Sequence, residues 1–136
     1  MSALFLDTGY VIALELTDDQ HHQEARQHWR ALTSETLPQI VTSTFVFDEV
    51  VTFFNSRAQH NKAVEVGRRL VTSPRAELIH VGEALFEEGW KRLKERPDKR
   101  YSLTDCISFV LMEQHGMHEA LTFDHHFEQA GFDTAP

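Results

Sequence analysis

A single cysteine among 136 residues leaves no internal disulfide, and Cys106 lies in an apolar stretch where a small core residue is its ordinary reading. A reducing compartment fits that count. No run approaches the roughly 18 apolar residues that a membrane helix needs. Met1 to Leu16 meets Asp7 and Glu15 with no basic leader and no small-residue cleavage site. The expectation is a soluble, cytoplasmic chain without a membrane partner. Basic residues are also scarce, 13 against 21 acidic, for a formal charge of −8. That balance argues against broad electrostatic adhesion to nucleic acid, which depends on a basic surface displacing counterions. Nine histidines invite a zinc reading, but there is no HExxH and no Cys/His framework, and adjacent histidines on a helix diverge.

The length and the 41% hydrophobic content suit one domain, residues 1–136, with a single core. No repeat, low-complexity segment or linker divides it. Ala3 to Leu6 reads as a first strand that stops at Asp7-Thr8-Gly9, and Tyr10 to Leu16 as a short helix. Asp18 or Asp19 can cap a second helix with His22, Ala25, Trp29 and Leu32 on one face. Gln39 to Thr42 reads as a second strand. Ser43 or Thr44 then caps a third helix, apolar almost all round and expected to be largely buried. A fourth helix carries Ala63, Val66, Gly67 and Leu70 and is stopped by Pro74. Glu77 to Val81 reads as a third strand, followed by a helix with Phe86, Gly89, Trp90 and Leu93 on one face. A polar loop from Arg96 to Tyr101 leads to a helix over Leu103 to His115, ended by Gly116. Ala120 to Phe123 is a fourth strand, and Asp124 opens a turn that leads into a short helix. Strands alternating with helices imply right-handed βαβ units and a parallel sheet with helices on both faces.

In such a sheet ligands bind beyond the carboxyl ends of the strands, and four carboxylates are candidates for that end. Asp7 closes the first strand and Asp124 the fourth. Glu49 lies about two turns into the third helix, and Asp105 in the first turn of a later one. Each has a plain alternative. Asp7 and Asp124 suit turns or caps, and Ser102-Leu103-Thr104-Asp105 is a capping-box pattern. Glu49 is harder to explain away, because a carboxylate within an apolar helix is costly to bury without a partner. Asp48 beside it would point about 100° away around the helix.

Four converging carboxylates would repel one another, and none of their segments carries Lys or Arg to offset them. A hard divalent ion removes the conflict, and oxygen ligands with retained waters are what Mg²⁺ and Mn²⁺ prefer. Such an ion can lower the pKa of a water for attack on phosphorus and stabilise phosphoryl charge. Thr8, Ser102 and Thr104 are placed to hydrogen-bond ligands or waters, or to cap. Six of the thirteen basic residues, Lys91, Arg92, Lys94, Arg96, Lys99 and Arg100, fall within ten positions. They form a candidate strip for RNA phosphates, with Tyr101 beside it as a candidate for base stacking. His125 and His126 read as surface residues, with a phosphate contact or an influence on Asp124 as the alternative. The other aromatic residues read as core.

Leu-Phe-Leu-Asp7-Thr8, Thr42-Ser43 leading to Glu49, Tyr-Ser-Leu-Thr-Asp105 and Leu-Thr-Phe-Asp124-His-His-Phe127 together resemble PIN domains. The likeness is greatest to VapC-type toxins of toxin-antitoxin pairs, and it spans essentially the whole chain. The resemblance implies an α/β/α sandwich and a metal-binding set of Asp7, Glu49, Asp105 and Asp124 with Mg²⁺ or Mn²⁺. It also implies endoribonuclease activity, a homodimer, and a small antitoxin as partner. Two other Mg²⁺ folds fit poorly: a haloacid-dehalogenase-like phosphatase needs Asp where Gly9 stands, and a response-regulator receiver has no use for a mid-helix Glu49. A non-catalytic module that binds RNA or protein remains the alternative.

Overall fold

The computed structural model describes residues 3–34 and 38–136. Its strands are β1 (Leu4–Leu6), β2 (Ile40–Ser43), β3 (Ala76–Ile79), β4 (Glu119–Leu121) and β5 (Asp133–Ala135). The helices are α1 (Thr8–Glu15), α2 (His22–Thr33), α3 (Thr44–Asn55), α4 (His60–Thr72), α5 (Glu83–Lys94), α6 (Leu103–Gln114) and α7 (His126–Gln129). The five strands form one sheet in the order β3-β2-β1-β4-β5, and every neighbouring pair is parallel. β1 and β2 are buried on both faces and read as continuous apolar or small residues, as a sheet covered on both sides requires.

Strand order runs outward from β1 to β3, then returns to the other side of β1 with β4. The crevice at such a reversal lies at the carboxyl ends of β1 and β4, where Asp7 and Asp124 stand. The register places Leu6 opposite Leu121, and the Asp7 N–H donates to the Leu121 carbonyl at 3.1 Å. The two exits are thereby locked together.

Several local expectations shift. The most buried helix is α6, not α3: Thr104 through Met112 are all buried, with Phe109, Leu111 and Met112 in the main core and α5 packed against the helix. Its contact with α5 is close enough that a Cβ on Gly89 would stand 2.4 Å from Ile107 Cγ1. α3 buries Val46, Val50 and Phe54, one stripe at helical spacing, and leaves Phe47, Val51 and Phe53 half-buried. On α5 the apolar face turns outward in part: Gly89 is buried, while Phe86 and Trp90 are 40% and 45% exposed. α2 starts after His21, two or three residues past the expected caps, and the His21 N–H donates to Asp19 Oδ1 at 2.8 Å. The edge strand β5 has no counterpart in the sequence reading, since three residues at the chain's end carry no periodicity to read. Cys106 is fully buried and its thiol is pushed up to about 11, chiefly by burial, which makes it an inert core residue.

Candidate metal centre

Asp7 occupies the N-cap position of α1, yet its side chain caps nothing. Its Oδ2 instead accepts the Thr122 hydroxyl at 2.8 Å, across the β1–β4 pair. The carboxyl is only 6% exposed. Burial raises its pKa from 3.8 to about 7; nearby Asp105 and Asp124 add to the rise, and the Thr122 bond opposes it.

Asp105 completes the capping box and also lines the crevice. The Ser102 hydroxyl accepts from the Asp105 N–H at 2.9 Å, and Asp105 Oδ2 accepts from the Ser102 N–H at 3.1 Å, completing the capping box. The same carboxylate faces the crevice, where His126 Nδ1 lies 2.8 Å from Oδ2. Burial raises its pKa, the His126 bond opposes the rise, and Asp124 adds to it. Asp124 is half-buried in the turn after β4. Its N–H donates to Thr122 Oγ1 at 2.9 Å, its Oδ1 accepts from the His126 N–H at 2.9 Å, and His126 Nδ1 stands 3.3 Å from that oxygen. Asp105, Asp124 and His126 each offer a ligand atom within 4.8 Å of the others.

Glu49 reaches the crevice from the second turn of α3, where the Thr8 hydroxyl donates to its Oε1. Asp48, about 100° away around the helix, is exposed, accepts from Thr52 and does not line the recess. The four carboxylates line one open recess of about 420 Å³, together with Thr8, Ser102, Arg100, Phe123 and His126.

Thr104 is buried in the first turn of α6 and does not line the recess. The members of the basic strip make different contacts. Arg92 is bound to Glu113 at 2.7 Å, Lys94 lies over the Trp90 ring, and Arg100 is the member that reaches the recess. Tyr101 is half-buried, with its ring edge-on to both Phe109 and His126.

Thr122 escaped the sequence reading, and the contact of His126 with Asp124 was only its alternative there. Thr122 joins Asp7 to Asp124; its position two residues before Asp124 in a strand was the available signal. His126 read as a surface residue, but it contacts Asp105 and Asp124 with a side chain only 27% exposed. Among the described residues it alone forms ion pairs with these carboxylates.

The donor set fits a hard divalent cation. Four carboxylates share the recess, Asp105 and Asp124 within ligating distance of each other, and burial together with neighbouring carboxylates raises the pKa values of Asp7 and Asp105. The pattern of the PIN domain matches residues 4–133. The chain belongs to the PIN domain family. The parallel sheet between helices is accordingly the α/β/α sandwich of a PIN domain. A 23S rRNA-specific endonuclease of Mycobacterium tuberculosis, VapC20, is 35% identical over 130 residues, 95% of each chain. The crystal structure of that organism's VapC20, a sarcin-ricin loop cleaving toxin, aligns with a TM-score of 0.88 at 30% identity, covering 98% of this chain and 99% of that one. FitAcB of Neisseria gonorrhoeae shares the fold at a TM-score of 0.65 and 20% identity, over 98% of this chain and 96% of its own. This PIN domain is therefore a homologue of VapC-type toxin ribonucleases.

Proposed function

We propose that this PIN domain is a divalent-cation-dependent endoribonuclease and the toxin of a toxin-antitoxin pair. The observation that carries the reading is the convergence of Asp7, Glu49, Asp105 and Asp124 on one recess at the switch point of the sheet. Those four side chains would hold Mg²⁺, with Mn²⁺ able to substitute. When bound, the cation supplies Lewis-acid polarisation of the phosphodiester and a nucleophile at neutral pH.

The chain's own groups do the rest. Thr122 holds Asp7 and Asp124 in register, Ser102 and His126 orient Asp105, and Thr8 orients Glu49. Arg100, on the wall of the recess, meets the phosphate of RNA. The relative's activity on 23S rRNA makes that RNA the first substrate to try. A small antitoxin is the expected partner. A homodimer is expected as well, and the groove lined by Phe47, Val51, Val64 and Val71 between α3 and α4 is the surface it would cover. A monomer at high concentration would exclude that use of the groove.

The test is cleavage of total cellular RNA, 23S rRNA included, by the purified protein with Mg²⁺ or Mn²⁺, beside EDTA and Asp7→Asn controls. Cation-dependent cutting that Asp7→Asn abolishes establishes the activity. Absence of cutting by folded, metal-loaded and antitoxin-free protein favours a binding module that has kept the fold.

A further inference from the structure

A row of aromatic rings leads from the core to solvent beside the carboxylates. Tyr10, in the first turns of α1, is completely buried. Phe123, just past β4, is half-buried, lines the recess, and stacks on Tyr10 with centroids 5.9 Å apart and planes at 17°. His21 lies flat on Phe123, with centroids 4.2 Å apart and planes at 5°, and its side chain is 39% exposed. Phe123 covers one face of the imidazole, so the exposure belongs to its other face and edges.

The turn beneath the imidazole is held before any ligand arrives, and Glu24 Oε1 lies 3.9 Å from the ring's Nδ1. The His21 N–H donates to Asp19 Oδ1 at 2.8 Å, the His22 N–H donates to the Asp19 carbonyl at 3.0 Å, and buried His22 Nδ1 is 2.7 Å from the Ala13 carbonyl. These bonds fix the turn that presents the ring.

We propose that His21, backed by Phe123, is a stacking platform for an unpaired nucleobase next to the phosphodiester in the recess. The proposal rests on the ribonuclease reading and adds a base-binding subsite to it. Single-stranded RNA is recognised largely by stacking on aromatic rings, histidine included, because every base offers a π-face whatever its sequence. Stacking also suits this protein's charge. A chain of formal charge −8 with an acidic centre has little electrostatic hold on a polyanion, and stacking needs none. Arg100 on the recess wall and His21 beside Phe123 would then hold a phosphate and a base of the same strand.

The experiment uses Asp7→Asn protein, which leaves RNA uncut, with single-stranded oligoribonucleotides carrying 2-aminopurine at each position in turn. Stacking quenches the fluorescence at one position. Adding His21→Ala abolishes that quenching and weakens binding roughly fivefold or more, with the salt dependence unchanged. His21→Phe, which keeps a flat ring, restores both. Thermal unfolding of each variant confirms that it is folded. Binding by His21→Ala equal to that of the unsubstituted residue overturns the platform, as does quenching at no position. A loss that comes with a shallower salt slope, unrestored by His21→Phe, overturns it in favour of a phosphate contact. If protein with Asp7 intact neither cuts nor binds RNA, the ribonuclease reading falls and the platform with it; if it cuts and His21→Ala cuts equally well, the platform alone falls.

Discussion

Replacing Asp7 with Asn should damage the centre while stabilising the metal-free fold. The Asp7 carboxyl is buried and its pKa rises from 3.8 to about 7. A rise of about three units corresponds to about 4 kcal/mol of folded-state destabilisation once the group is ionised. The sign follows from proton counting. Between those two values the folded chain keeps a proton that the unfolded chain has released, so this group's contribution to stability falls as pH rises through the window and levels off above about 7. Asn carries no such penalty. Its carbonyl oxygen can still accept the Thr122 hydroxyl, and loss of the charge-strengthened part of that bond costs about 1 kcal/mol. The net expectation is about 2–3 kcal/mol of added stability for Asp7→Asn at about pH 8, shrinking towards zero near pH 4. Urea unfolding in EDTA across that range, at constant ionic strength, measures the difference directly. Mn²⁺ at about a hundred times its dissociation constant should then stabilise the Asp7 protein by about 2.7 kcal/mol and the variant far less. A variant less stable than its parent at high pH in EDTA, or a difference that ignores pH, would refute the account of a strained carboxylate cluster.

Removing His126, the imidazole against Asp105 and Asp124, should weaken Mn²⁺ binding about tenfold or more in His126→Ala, read by calorimetry, with His126→Asn restoring part of it. Unchanged affinity would make the ring a bystander. Arg100→Glu should reduce RNA affinity and its salt slope, whereas Lys91→Glu, exposed on α5 and away from the recess, should do neither in the same binding titration.

The local pattern of the chain already contained the alternation of strands and helices, the parallel sheet and the four carboxylates. Asp7 and Asp124 end strands, and the carboxyl ends of parallel strands share one edge, so chain order puts both at that edge while the pairing of β1 with β4 makes them neighbours. Glu49 was legible because a carboxylate among apolar neighbours demands a partner. Tertiary structure decided what periodicity does not encode. A helix apolar all round, such as α3 or α6, looks the same in sequence whichever one the fold covers, and α6 took the inner place because Gly89 of α5 admits it. Strand order brought Thr122 beside Asp7 across 115 positions of sequence. The turn after β4 swung His126 onto Asp105, and the approach of α2 laid His21 on Phe123. Each of these contacts joins residues distant in the chain, and no local spacing reports distances that only the packed sheet and its helices create.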